Sequence, residues 1–310
     1  MQNRKIKYIN SCFNYTGSKY KQLPQLFKLF PKYTDTFVDL FCGGGVVGVN
    51  ALSQMNAKKV ILNDKSSAVI SIFNYLKSSS YDEVIKDIYH ISKDYGLSDT
   101  SKHGYAYYGV DSSTGLSQVN KKGFLALRTA YNQYLVGFKY SKEALLYALI
   151  IFSFNNQIRF NQKNQFNLPV GKRDFNQNMK KKLAAFIEIL SNPEIQVSNI
   201  DFTEIHPSKG SFVYCDPPYS ITTATYNERS LWTKEDDTRL FKYLDELDSQ
   251  NIRFALSNVF EHNGVSNDQL KRWSRKYNVH AIEFNYNNSN YHSKAKQHKT
   301  QEVLITNYED

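Results

Sequence analysis

Thr36-Phe37-Val38-Asp39-Leu40-Phe41-Cys42-Gly43-Gly44-Gly45 opens with six residues of strand character and ends in three glycines. The run from Thr36 to Phe41 is mostly apolar without strict alternation, the pattern of a strand covered on both faces. Glycine allows the sharp turn that follows, and Val46 to Met55 then reads as a helix. Lys59-Val60-Ile61-Leu62 reads as a second strand. Strand, glycine turn, helix and strand make a βαβ unit, which calls for a parallel sheet.

Outward from this unit the same alternation continues. Tyr20 to Phe30 places Leu23, Leu26, Phe27 and Phe30 on one helical face, and a second α/β block begins at Ile195-Gln196-Val197. Ser211 to Cys215 and Ile252 to Leu256 are strand-like, and Lys234 to Gln250 between them carries Leu240, Phe241, Leu244 and Leu247 at helical spacing. Val279 to Phe284 and Glu302 to Thr306 are expected to pair as a hairpin around a basic loop. Between the blocks, from about Tyr75 to Phe175, the chain is helical in places and rich in Tyr and Asn. The expected division is an α/β domain of residues 1–75 and 176–310, interrupted by a mainly helical subdomain of residues 76–175.

Composition narrows the class. Hydrophobic residues make up 41% of the 310 and aromatics 15%, enough for a folded core. No apolar run reaches the roughly 18 residues of a membrane span, and no signal-type apolar stretch follows the basic start, so a cytoplasmic protein is expected. Cys12, Cys42 and Cys215 form no CxxC pair, which argues against disulfides and zinc alike; no metal is expected. The net charge of +10 points to a polyanionic partner. The excess is uneven: from Arg253 to Lys299 the acids are Glu261, Asp268 and Glu283, against eight lysines and arginines.

The glycine turn suits a nucleotide-like ligand at a helix start, and Asp64, about twenty residues on, can accept both hydroxyls of a ribose. The GxxxxGK[ST] of a P-loop is missing. A cofactor with a ribose but no phosphate fits better, and S-adenosylmethionine is one. Upstream, Asn14-Tyr15-Thr16-Gly17-Ser18-Lys19 sets an aromatic and a cation before a helix, and Lys19 could neutralise a cofactor carboxylate.

Phe212-Val213-Tyr214-Cys215-Asp216-Pro217-Pro218-Tyr219 is a strand halted by two prolines, which fix φ and remove donors, so the loop is stiff. Asp216 stands at the carboxyl end of the strand, where open α/β sheets bind ligands. An adenine amino nitrogen is a poor nucleophile because its lone pair is delocalised into the ring. The Asp216 carboxylate and the Pro217 carbonyl could accept both amino hydrogens and aim the lone pair at a methyl donor. Tyr219 would stack on a base taken out of the duplex. The blander alternative is a strand cap with a rigid turn.

Taken together, Tyr15-Thr16-Gly17-Ser18-Lys19, Phe37 to Gly45 and Asp216-Pro217-Pro218-Tyr219 resemble the motifs of the Dam-type, alpha-class family of DNA N6-adenine methyltransferases, in that order. Phe166-Asn167-Leu168-Pro169-Val170-Gly171, Leu256-Ser257-Asn258 and Glu302 to Asn307 resemble further family segments. The resemblance implies a Rossmann-like methyltransferase sheet of seven strands, one antiparallel, with the middle segment as the target-recognition subdomain. It implies that Tyr15, Lys19, Asp39, Gly43, Gly45, Asp64, Asp201 and Asp216 surround the cofactor, Asp201 at its adenine. Catalysis would rest on Asp216, Pro217, Pro218 and Tyr219. Double-stranded DNA would be the substrate, and a cognate restriction endonuclease a possible partner. Arg128, Asn132, Arg159, Asn161 and Asn164 are candidate DNA contacts of the middle segment, and Asn290, Lys294 and Lys296 of the late basic loop. His292 lacks partners at metal spacing. A cytosine C5 enzyme would need a Pro-Cys nucleophile, which neither Cys42 nor Cys215 provides. An RNA adenine methyltransferase and a silent DNA-binding module remain as alternatives.

Overall fold

The computed structural model describes residues 7–221, 232–283 and 300–309. The helices in chain order are α1 (Leu23–Leu29), α2 (Gly48–Gln54), α3 (Ser67–Ser78), α4 (Tyr81–Asp94), α5 (Thr100–His103), α6 (Ser117–Asn132), α7 (Lys142–Phe152), α8 (Gln177–Leu190), α9 (Lys234–Ser249) and α10 (Asp268–Trp273). The strands are β1 (Thr36–Asp39), β2 (Lys59–Asn63), β3 (Ile195–Ser198), β4 (Ser211–Cys215), β5 (Arg253–His262), β6 (Val265–Ser266), β7 (Asn278–Ile282) and β8 (Thr300–Thr306).

The chain forms two compact units. Among the described residues one takes 19–65, 198–221, 232–283 and 300–309, and is mixed α/β. The sheet runs β3-β2-β1-β4-β5-β8-β7, with β6 paired to β5. Strand β1 is parallel to β2 and β4, and β4 to β5, while β8 is antiparallel to β5 and β7. A mostly parallel sheet, reversed at β8 and at the short β6, is consistent with a Rossmann-like methyltransferase sheet. The late hairpin pairs as expected; its loop, residues 284–299, lies outside the described residues.

Period-two alternation separates the two faces of this sheet. Phe37 pairs in register with Phe212 and packs, with Tyr214, against Phe30 beyond α1. On the other face Val38, Val213, Cys215, Leu256 and Ile305 meet Leu240, Leu244 and Leu247 of α9. Helix α9 starts in a capping box, Thr233 with Asp236, and its first turn holds Glu235, Asp236 and Asp237 against the positive helix end. The β5–β6 hairpin lies outside the expected set of strands. Asn263 at φ 51° and Gly264 at φ 82° form its two-residue turn, the Asn-Gly pair such hairpins favour.

The second unit takes residues 7–18 and 66–197 among those described, and is helical. Helix α7 is buried without a break from Ala144 to Phe152, which makes it the central helix; α3, α4 and α6 pack on it. The divisions at 18, 65 and 197 differ from the expected 75 and 176. Phe73 of α3 explains the difference, since it packs on Phe13 and on Phe186 of α8. Hydrophobic contact therefore draws both flanking helices into the helical unit. No helix of the described residues is long and apolar enough to cross a membrane.

Candidate active site

Strand β4 delivers Asp216 directly after its last residue, and Pro217 keeps the chain from continuing the ladder. The carboxylate, only 17% exposed, meets the Lys19 ammonium at 2.9 Å through Oδ1. The Tyr219 hydroxyl donates to the same oxygen at 2.9 Å and accepts from Lys19 Nζ at 2.7 Å. Three groups named separately by the sequence thus close one triangle. The sequence suggests a cofactor carboxylate as the partner of Lys19; in the structure its charge is already paired with Asp216. Burial works against the Lys19 charge, but Asp216, Tyr214 and Glu302 outweigh it and raise the ammonium above the ordinary lysine value. Burial also raises the Asp216 carboxyl above its ordinary value, with Lys19 and Tyr219 opposing the shift.

The glycine turn is built from below. Gly43 and Gly45 take φ of 47° and 75°, the region that suits glycine. Asp64 accepts the Gly43 N–H at 2.9 Å, and Asp39 accepts the Gly48 N–H at 3.0 Å. Asp64 thus shapes the turn whatever it offers to a ligand. A Cβ on Gly48 would lie 2.2 Å from the Leu62 Cδ2, so a larger residue there would have to displace the Leu62 side chain. Asp39 is 1% exposed, and its Oδ1 has no hydrogen-bond partner among the described residues. Burial drives its carboxyl well above the normal range; the Gly48 N–H opposes this, and repulsion from Asp216 and Asp64 adds to it.

Asp201 begins a 3-10 turn and accepts from Thr203 and from the Arg239 guanidinium, the latter at 2.8 Å. Burial raises its carboxyl, but these donors win and hold it below the normal value. The Thr203 N–H, the Thr203 hydroxyl and Arg239 all donate to Oδ1.

Several supporting residues carry no clear mark in the sequence. Asn63 donates to the Leu40 and Ile200 carbonyls and accepts the Ile200 N–H, joining the ends of β1 and β2 to the segment before Asp201. Asp237, 1% exposed, accepts from Ser220 at 2.5 Å and from the Trp232 indole at 2.7 Å. It thereby ties the residue after Tyr219 to Trp232, which packs edge-on against Phe41 beside the glycine turn. Gln22 and Glu302 form a further pair at 2.5 Å. Asn63 adjoins Asp64, the one signal that could have found it; nothing local marks Asp237.

Tyr15 belongs to the helical unit and lines a small cavity there with Asn14, Thr16, Val69, Ile158 and Phe160. The middle-segment candidates also lie in that unit, and most hold its own backbone. Asn132 donates to the Phe166 carbonyl and accepts the Phe166 N–H, using both ends of its amide. Asn161 accepts from the Lys163 and Gln165 N–H groups in a turn. That use of the amides counts against reading a base through them. Arg159 grips Asn167 through its Oδ1 and carbonyl, and Arg128 donates to the Leu168 carbonyl. Asn164 adopts a left-handed conformation in the same turn. Asn290, Lys294, Lys296 and His292 lie outside the described residues. Among the described residues no cluster of three or more His, Cys, Asp or Glu could hold a metal ion.

A family model described as D12 class N6 adenine-specific DNA methyltransferase matches residues 15–288. The type II methyltransferase M.FokI of Planomicrobium okeanokoites is 39% identical over 97% of this chain, and the modification methylase StsI of Streptococcus sanguinis 39% over 98%. The modification methylase LlaI of Lactococcus lactis subsp. lactis is 33% identical over 96%. The chain spans 43% of the length of each of these three relatives. With the match running from the turn before Lys19 past the end of β4, this chain belongs to the D12 class of N6 adenine-specific DNA methyltransferases.

Proposed function

We propose that this chain transfers a methyl group from S-adenosylmethionine to the exocyclic amino nitrogen of an adenine taken out of duplex DNA. The observation that carries the reading is the Lys19–Asp216–Tyr219 triangle. Two donors share Asp216 Oδ1, which fixes the carboxylate plane and leaves Oδ2 to accept an amino hydrogen. That bond draws density toward the nitrogen. As the new N–C bond forms, the nitrogen becomes cationic and sheds one proton, for which Asp216 is the nearest base of the triangle. Lys19 keeps Asp216 ionised until then, and Tyr219 presents its ring to the extruded base.

The surroundings fit S-adenosylmethionine. Asp39, Asp64 and Asp216 make an acidic setting that suits a sulfonium and an ammonium, and Asp39 Oδ1, without a hydrogen-bond partner among the described residues, can take a donor or a positive charge. In this reading Asp64 accepts from the ribose and Asp201 from the adenine amino group. The cofactor, when bound, supplies an electrophilic methyl. The names of two relatives, modification methylases, support a protective role beside a restriction endonuclease.

The test uses the full chain, tritiated S-adenosylmethionine and unmodified duplex DNA, with digestion to nucleosides. Label is expected in N6-methyladenine. DNA binding without transfer would leave only a silent binding module, and label on RNA alone would move the substrate.

A further inference from the structure

From Ser112 to Lys142 the chain carries Lys121, Lys122, Arg128, Lys139 and Lys142, and no Asp or Glu. Lys121 and Lys122 lie on the solvent side of α6, and among the described residues neither has an ion-pair partner. Leu125, 41% exposed, follows one turn later, then Thr129 and Gln133 along the same stripe. The stripe runs into a tight turn between α6 and α7. There Leu135 is 75% exposed, Val136 fully exposed and Phe138 42% exposed.

This turn is firmly built. The Phe138 N–H donates to the Leu135 carbonyl at 3.2 Å, and Gly137 takes φ 91°, as a glycine third in such a turn can. Below it the Tyr140 hydroxyl and the Lys139 ammonium both hold Asp94, and Tyr134 packs edge-on against Phe138. Lys142 lies over the rings of Tyr131 and Tyr134. Solvent-facing turns are ordinarily polar, so an anchored turn that lifts apolar side chains into water implies an occupant. Lys139 is paired with Asp94, but Lys121 and Lys122 have no ion-pair partner among the described residues, and these two select the polyanion: phosphates for the lysines, and a groove for the apolar tip.

We propose that the outer face of α6 and the 135–138 turn form a duplex-DNA contact surface, resting on the DNA methyltransferase reading above. Lys121 and Lys122 meet phosphates, and Leu135 and Val136 enter a groove against sugar and base edges.

The native cysteines, Cys12, Cys42 and Cys215, are all buried, so Val136→Cys places a uniquely accessible thiol among the described residues at the tip. The variant is labelled with a maleimide benzophenone and irradiated with radiolabelled, unmodified duplex DNA. A DNA adduct is expected. In parallel, Lys121→Ala/Lys122→Ala is expected to lower the slope of log Kd against log salt by about 1.8, roughly 0.9 for each phosphate no longer neutralised. An unchanged slope without adduct overturns the proposal. So does an adduct only to a second protein chain, with an oligomer that Leu135→Ser/Val136→Ser dissolves. Adduct and slope change in a chain that transfers no methyl would support the surface and sink the enzymatic reading alone.

Discussion

In the proposed reaction Asp216 faces opposing demands: it must be ionised to accept an amino hydrogen, yet it is mostly buried. Its folded value is raised by burial, with Lys19 limiting the rise. The carboxylate form is needed, so activity should be present above that raised value and lost as pH falls through it. The acid limb of kcat/KM should accordingly lie above the ordinary aspartate range of about 4. Lys19→Met removes the opposing charge and should move that limb to still higher pH, with kcat at neutral pH reduced by about tenfold or more. A limb that stays in place would show that Lys19 does not set the charge of Asp216. Asp216→Ala should lose transfer by about 10³-fold, with duplex binding kept, as single-turnover assays and filter binding would measure. Asp216, Tyr219 and Lys19 were each singled out in the sequence by residue type. Their mutual bonding was not legible, because Lys19 and Asp216 lie far apart in sequence and a lysine in a polar turn also reads as a solvated surface residue.

At the scale of elements, caps and buried polar bridges decide where the chain stops and turns. Asp174 in the helical unit is fully buried and accepts from the Thr100 N–H, the Thr100 hydroxyl and the Ser98 hydroxyl. Asn120 of α6 completes the bridge by bonding both the N–H and the hydroxyl of Ser98. Asp174→Ala leaves these donors unpaired and should cost about 3 kcal/mol in a urea titration. A loss below about 0.5 kcal/mol would show that water replaces the carboxylate. The strands and helices were largely legible, since apolar period and glycine breaks are local signals. Helix α10 and the β5–β6 hairpin were not, although Asn263-Gly264 carries a turn signal, because strand β6 has only two residues and no periodicity to read.

For the whole molecule, cofactor binding should appear as stability. A ligand that binds only the folded chain adds about 2.7 kcal/mol at a hundred times its Kd. Asp64→Ala should lose most of the thermal shift that S-adenosylmethionine produces, with isothermal calorimetry showing the weaker binding. The shift, rather than the baseline, is the readout, because Asp64 also holds the Gly43 N–H. An unchanged shift would assign Asp64 to shaping the turn alone. The amino-acid order by itself determined the α/β class, the glycine turn, the proline-halted end of β4 and the family likeness, because each depends on short runs of neighbouring residues. Tertiary structure alone decided that Lys19 pairs with Asp216, that Asp39 keeps an oxygen without a hydrogen-bond partner among the described residues, and that Asn132 spends its amide, and Asn161 its amide oxygen, on nearby backbone. It also decided that the units divide at 18, 65 and 197. Those outcomes depend on burial and on partners distant in sequence, and no local pattern encodes which buried polar atom will find which donor.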